Sequence, residues 1–430
     1  ALVLAGAGSG KTRVLTTRIA WLIKSGHVTP GGVLAVTFTN KAAREMVTRL
    51  TAMLPVNPRG LWIGTFHGLA NRLLRSHHQE AGLPREFQII DTQDQLSAVK
   101  RLAKALNIDE DRFPPRELQR FINGQKEEGL RARDVPAGDD VTRRQVEFFA
   151  SYDEQCQREG VADFAELLLR SFELLNRNEI LRQHYQARFR FILVDEFQDT
   201  NRLQYRWLKL FAGPESRIFA VGDDDQSIYG FRGANVGNLA EFEKEYSRGS
   251  VIRLEQNYRS QGNILDAANA LISNNTKRLG KNLWTSEGQG DPLRVFEGES
   301  DADEARFIAE EVGVLRREGM RLVDIAVLYR SNAQSRVLEH ALFGATIPYR
   351  VYGGLRFFER AEVKHALAYL RLIANSSDDN SFLRVANFPP RGIGARSMEQ
   401  LQDAAKQKGI SLFAAVDFSS GKGLPFKKLI

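Results

Sequence analysis

The sequence predicts an α/β fold in which a parallel sheet is interrupted by a long helical insertion. Three observations carry this. Short apolar runs of strand length recur at 1–5, 32–38, 62–67, 189–194, 217–221 and 251–254. Helical spacing of apolar residues separates the first runs, the alternation that builds parallel sheets. From about 89 to 189 the runs vanish, and 93–106, 115–124, 142–160 and 164–176 all carry helical spacing among charges.

The first run breaks into Gly6-Ala7-Gly8-Ser9-Gly10-Lys11-Thr12, and Leu15, Ile19 and Leu22 then mark one face of a helix. Glycines let consecutive backbone N–H groups turn inward, and the helix N-terminus adds positive dipole, as a polyphosphate requires. Gly8, Ser9, Gly10 and Lys11 are the predicted cradle. Lys11 would reach the outer phosphates and the Thr12 hydroxyl would hold Mg²⁺. Ala5 stands where the generic motif has glycine. The plain alternative is a Gly/Ser-rich turn before a helix; strand, loop, Lys-Thr and helix in register favour the nucleotide site. The loop alone does not separate a kinase from a transporter or a motor.

The second run leads into Thr39-Asn40-Lys41, where Asn40 is the expected helix cap. The third ends in Thr65-Phe66-His67 before a helix at 68–75. The fourth, Ile192-Leu193-Val194, delivers Asp195 and Glu196 to the C-terminal edge of the sheet, where α/β ligands bind. Asp195 is placed to hold Mg²⁺, and Glu196 to orient or deprotonate an attacking water. A lone Asp-Glu after a strand is more often a solvated turn; the glycine-rich loop in the same chain favours the site. The fifth run ends at the same edge and displays Gln226, Tyr229, Phe231 and Arg232. The glutamine suits a γ-phosphate sensor, and the two rings offer stacking faces for bases. After the sixth run, Arg259 in Gln256-Asn257-Tyr258-Arg259-Ser260 is a candidate finger for the transferring phosphoryl. A second α/β unit follows, with strands expected at 293–296 and 325–329 around a helix at 303–318. From 361 the pattern is helical, interrupted by Pro389-Pro390-Arg391-Gly392-Ile393-Gly394.

With 430 residues the chain has room for about three or four domains. Its net charge of +7 permits a nucleic-acid partner without requiring one. A single cysteine, Cys156, rules out an intramolecular disulfide framework and suits a reducing, cytoplasmic setting. No apolar run approaches the roughly 20 residues that span a bilayer, so no membrane partner is expected. A chain that opens directly on a strand without Met, and closes at 422–430 without an element, leads us to expect more chain on both sides.

The order and wording of these segments resemble the UvrD/PcrA/Rep family of superfamily-1A DNA helicases. The likeness runs through 5–12, 37–46, 64–67, 194–200, 221–234, 256–260 and 327–332, and Ala5 is what that family usually carries. The resemblance implies two RecA-like P-loop lobes with parallel sheets, the second incomplete, each with a mainly α-helical insertion. The implied bounds are 1–88 with 190–250 for the first lobe, 89–189 for its insertion, 251–372 for the second lobe and 373–430 for the start of its insertion. ATP and Mg²⁺ would sit between the lobes, and translocation along single-stranded DNA would run 3′ to 5′ toward single-strand/duplex junctions.

Position by position, the resemblance puts Lys11, Thr12, Asp195, Glu196, Gln226 and Arg259 in the roles already given. It adds Arg13 and Tyr258 as the pair that sandwiches adenine. It lays single-stranded DNA along Phe38, Asn40, His67, Phe164, Tyr229, Phe231, Arg232 and Arg330, and duplex phosphates on the loop carrying Gly392 and Gly394. For that loop a plain proline-glycine turn is an equal reading. Phe231 replaces the Trp often seen in the family, which keeps stacking but weakens it. The family's upstream adenine-reading glutamine motif and its late motifs, with a second arginine finger, have no counterpart here. Two alternatives stay open. One is the helicase portion of a RecB/AddA-type helicase–nuclease, against which the compact insertion argues. The other is a piece that binds ATP and DNA without turnover. Repair proteins or a second copy are the further partners such a motor implies.

Overall fold

The computed structural model describes residues 1–55, 60–247, 251–276, 278–352 and 360–419. Its chain divides into two compact units, Ala1–Leu293 and Arg294–Ile430. The first contains eight strands among the described residues: β1 (Leu2–Ala5), β2 (Val33–Thr37), β3 (Trp62–Thr65), β4 (Gln88–Ile89), β5 (Val161–Ala162), β6 (Phe191–Val194), β7 (Arg217–Gly222) and β8 (Val251–Leu254). Six of them form one sheet in the order β3-β2-β6-β7-β1-β8, every pair parallel.

Both faces of this sheet are covered, which is why its strands read as near-continuous apolar runs. Alternate residues still go to opposite sides. Leu2, Leu4, Leu34, Val36, Ile192, Val194, Ile218 and Ala220 pack on one side, with α3 (Phe66–Ser76), α7 (Phe164–Arg177) and the helix Arg202–Phe211. Val3, Ala5, Val33, Ala35, Leu193, Phe219 and Val221 face α1 (Lys11–Lys24) and α2 (Asn40–Met53). The β8 strand, at the start of the expected second lobe, is hydrogen-bonded to β1 and completes this first sheet, with Ala5 opposite Leu254.

Helix starts follow side-chain caps. Thr39, not Asn40, caps α2: its hydroxyl accepts from the Ala42 amide, and Asn40 is the first helical residue. Thr39 is extended and can fold its side chain back onto the third amide, which a residue already in helical conformation cannot do. Thr65 caps α3 in the same way, so that helix starts at Phe66, two residues before the expected Gly68.

The insertion has its own core. In α4 (Thr92–Ala105), α5 (Pro115–Glu127) and α6 (Asp140–Glu159), Val99, Ile122, Phe148, Phe149 and Tyr152 pack together. It is not wholly helical, because β4 and β5 pair in parallel and close its base. Beside that core lies a buried ionic cluster. Lys126, 1% exposed, meets Asp153 at 2.9 Å, Asp163 at 3.0 Å and Glu166 at 3.0 Å. Arg131 grips Glu166 through two hydrogen bonds, 2.8 and 2.9 Å, and also Glu173. Burial alone would lower the Lys126 pKa, but the Asp163, Glu166 and Asp153 carboxylates carry it well above its ordinary value. The carboxylates therefore hold the buried ammonium in its charged form.

In the second unit the helix Asp301–Arg317 packs on the helix Asn332–Gly344. A separate cluster gathers Phe382, Ile393, Leu401 and Leu412. The strands expected at 293–296 and 325–329 do not form: these residues join no ladder among the described residues, and Val295 and Leu328 are almost fully exposed. An apolar run becomes a strand only where a neighbour accepts its backbone hydrogen bonds. The expected lack of a closing element at 422–430 lies outside the described residues.

Lys126→Met removes the only cation that touches Asp153, Asp163 and Glu166 together among the described residues. Breaking such a cluster from one side is expected to destabilise the insertion by about 3–5 kcal/mol, read as a lowered midpoint in urea by far-UV circular dichroism.

Candidate functional site

Because the strands are parallel, the loops after β1, β6, β7 and β8 leave the sheet at one edge. The loop after β1 turns through Gly8 and Gly10, at φ 71° and 88°. Only glycine takes this left-handed region freely. A Cβ on Gly8 would also sit 2.6 Å from Asn257 Nδ2 and 2.8 Å from the Arg259 Cβ. Gly10 precedes α1 without a side-chain cap. The amides of Gly8, Gly10, Lys11 and Thr12 donate to no protein acceptor among the described residues. Four such donors at a helix start form a concave anion cradle.

The segment after β8 clips onto this loop. The Tyr258 amide donates to the Gly8 carbonyl at 3.0 Å and Asn257 Nδ2 to the Ala7 carbonyl at 2.5 Å. Asn257 Oδ1 accepts from the Arg259 and Ser260 amides at 2.8 and 2.7 Å, fixing the turn that carries Arg259. The Arg13 and Tyr258 side chains are both exposed.

The carboxylate pair after β6 faces the same loop. Lys11 Nζ forms an ion pair with Glu196 Oε2 at 3.0 Å. Glu196 sits at φ 49°, a strained turn for a residue with a side chain. Asp195 is 2% exposed, and its Oδ1 has no hydrogen-bond partner among the described residues. Burial, with Glu196 beside it, pushes the Asp195 carboxyl up to about 6. A buried oxygen with no proton donor fits a hard cation; Thr12 lies in the first turn of α1, at the same sheet edge. Gln226 donates to the Asp223 carboxylate at the end of β7.

A cavity of about 280 Å³ on the same unit brings together three of the expected DNA residues, Phe38, His67 and Tyr229, with Glu127 and Asp199. Phe164 closes on His67 edge to face, ring centroids 6.0 Å apart. Burial lowers the His67 pKa, so its imidazole is neutral near pH 7. Phe231 is 71% exposed and tilted against Tyr229. Asn40 lies exposed on α2. The side chain of Arg232 lies outside the described residues. Arg330, Gly392 and Gly394 belong to the second unit and are exposed there. In its loop, Asn387 Oδ1 takes the Arg391 and Ile393 amides, and Arg391 turns inward onto the Val385 carbonyl at 2.7 Å. No amide of Gly392 or Gly394 is engaged among the described residues.

Sequence reasoning missed Asn257, Gln198 and Lys281. The first two lie inside the motif segments that were read, beside residues with louder chemistry. Lys281 carries no motif signal at all.

A parallel sheet with a glycine-rich loop after its first strand and a carboxylate pair at the same edge is the architecture of P-loop nucleotide-binding proteins. Within that class the assignment is specific. Residues 1–247 match the UvrD/REP helicase N-terminal domain and 252–430 the UvrD-like helicase C-terminal domain, and the chain belongs to this family. It is 53% identical over 416 residues to DNA helicase II of Escherichia coli, covering 96% of this chain and 58% of that protein. It is 51% identical to DNA helicase II of Haemophilus influenzae over 428 residues, 98% and 59% of the two chains. With the ATP-dependent DNA helicase PcrA of Bacillus subtilis it shares 44% over 418 residues, 96% and 57%. The chain thus spans somewhat under three-fifths of the length of these relatives. No described helix is long and apolar enough to cross a membrane.

The Asp195 carboxyl works against the fold when ionised. The penalty is absent below its ordinary value of 3.8, grows as pH rises, and is complete above about 6. In metal-free protein, Asp195→Asn should stabilise the first unit by on the order of 1–3 kcal/mol at pH 8 and by nothing at pH 3.5, seen as a melting temperature gain that disappears on acidification.

Proposed function

We propose that this chain is the motor portion of an ATP-dependent DNA helicase that moves 3′ to 5′ on single-stranded DNA and opens duplex at single-strand/duplex junctions. The observation that carries the reading is the meeting, at one sheet edge, of the open amides of the loop after β1, the Lys11–Glu196 pair and the orphaned Asp195 oxygen. The relatives named above, two DNA helicases II and the ATP-dependent DNA helicase PcrA, support it.

On this reading the Gly8–Thr12 amides hold the β- and γ-phosphates, and Lys11 leaves Glu196 for them. Glu196, released from its ion pair, becomes a base for the attacking water. Thr12 and Asp195 hold Mg²⁺, which when bound neutralises charge on the phosphates. Gln226 faces the γ-phosphate from the loop after β7, Arg259 supplies a positive charge from the segment after β8, and Arg13 and Tyr258 enclose the adenine.

The cavity between Phe38, His67 and Tyr229 suits a base better than a phosphate. Its rings offer stacking faces, while Glu127 and Asp199 on its wall repel anions. The family resemblance adds Phe164, Phe231, Asn40 and Arg232 to this track; within the second unit it gives Arg330 a contact with single-stranded DNA and the Gly392 and Gly394 amides duplex phosphates. Such contacts read the backbone and the base faces, so the motor would run on any sequence. The repair and replication settings of such helicases follow from the same reading.

Steady-state ATP hydrolysis with and without oligo-dT tests it. Turnover in the intact protein is expected to rise with oligo-dT, to vanish with EDTA, and to fall on the order of 10²–10⁴-fold in Glu196→Gln with nucleotide binding retained. Turnover indifferent to oligo-dT would exclude a DNA motor. Strand displacement is expected from duplexes with a 3′ tail and not from those with a 5′ tail.

Tyr229→Ala should weaken oligo-dT binding by about 1–3 kcal/mol, roughly 5- to 150-fold, measured by fluorescence anisotropy. ATPase activity at saturating DNA should change far less.

A further inference from the structure

Behind the nucleotide edge the polar side chains form one hydrogen-bonded path. Glu196 Oε2, which meets Lys11, also accepts from Gln198 Nε2 at 2.9 Å. Gln198 Oε1 accepts from the Asp223 amide at 2.9 Å. The Asp223 carboxylate takes both Gln226 Nε2 and Lys281 Nζ.

Two features show that this path is built and not incidental. Gln198 is 1% exposed and lies flat on the end of β7, where a Cβ on Gly222 would sit 2.9 Å from its Oε1. The glycine leaves the space that the amide fills. The orientation of that amide is also fixed by chemistry. Oε1 must face the N–H of Asp223 and Nε2 the carboxylate of Glu196; reversed, both contacts would be lost.

Lys281 lies at the far end, buried, 3.2 Å from Asp224 and 2.6 Å from Asp225 as well. The three consecutive carboxylates lie within 4.8 Å of one another and would repel without a cation among them. Arg278 takes Asp225 through two hydrogen bonds, but Lys281 is the cation in contact with Asp223 among the described residues.

We propose that Lys281 is a positioning residue for nucleotide hydrolysis: it fixes Asp223, and Gln198 carries that placement to Glu196. The inference rests on the hydrolysis reading above. When phosphate draws Lys11 away, Gln198 is the partner that still holds Glu196. Gln226, bonded to the same Asp223, shares the reference. The γ-phosphate sensor and the carboxylate are thereby set by one buried lysine from a segment that no motif marks.

A double-mutant cycle tests this in the intact protein with saturating single-stranded DNA. kcat, KM for ATP and melting temperature are measured for the wild type, Lys281→Met, Gln198→Met and the double variant. Each single change is expected to lower kcat about 10- to 100-fold with KM within about threefold, since misplacing a reacting group by an ångström has that scale of effect. The double variant should be no slower than the worse single, because both cut the same path. Effects that multiply overturn the inference. So does a Lys281→Met protein that melts earlier but keeps its kcat, the behaviour of a lysine with a structural role alone. If Lys281→Met does not fold, Lys281→Arg, which keeps the charge and changes the reach, enters the same cycle under the same criteria. A wild type without ATP turnover overturns the hydrolysis reading itself, and is seen before any variant is compared.

Discussion

Strand direction is the constraint on which everything else depends. In a sheet whose neighbours all run parallel, each strand delivers its C-terminal residue to the same edge. The loop after β1, Asp195 after β6, Asp223 after β7 and the Asn257 turn after β8 converge because β6, β7, β1 and β8 are successive neighbours. The residues involved are up to about 250 positions apart, so no local propensity could bring them together. Burial on both faces holds the arrangement: a one-residue slip of any strand would exchange its two apolar sets and move its terminal polar residue off the edge.

Most charges at that edge are paired internally. Lys11 pairs with Glu196, and Lys281 and Arg278 hold the three carboxylates of Asp223, Asp224 and Asp225. Asp195 and Asp199 are the exceptions. Each has a buried carboxylate oxygen without a donor among the described residues, and burial with Glu196 nearby pushes each carboxyl up to about 6. Carboxyls perturbed in this way, at a sheet edge, are candidates for a functional site. The ionic cluster around Lys126 shows the opposite design. There Asp163, Glu166, Asp153 and Arg131 leave no carboxylate of the group without a cation, and the cluster fixes the start of α7, where Phe164 meets His67.

Much of this was legible in the sequence. The six strands of the main sheet, the glycine-rich loop and the Asp195–Glu196 pair could be placed because apolar runs ending in chemistry-bearing residues are a local signal. Where the reading departed, the cause was non-local. Apolar residues at 293–296 and 325–329 have strand composition but no neighbour to complete a ladder. The short β4–β5 pair, two residues long on each side, gives no periodicity to detect. Asn40 and Thr39 are both good caps by type, and only backbone conformation chose between them. Lys281 is one of 60 Lys and Arg residues, and nothing in its sequence surroundings separates it from a surface lysine. Its role depends on being folded against three aspartates more than fifty positions earlier.

The helical insertion leaves α3 and returns at β6; α4, α5 and α6 pack on one another, while α7 packs on the sheet and brings Glu166 to the ionic cluster. The outward faces of α4, α5 and α6 are therefore mechanically separate from the register of the sheet, with α7 as the link between the two. The fold thus divides its load: the strand ends gather the polar residues, and the outward faces of α4, α5 and α6 bear none of the register that holds them there.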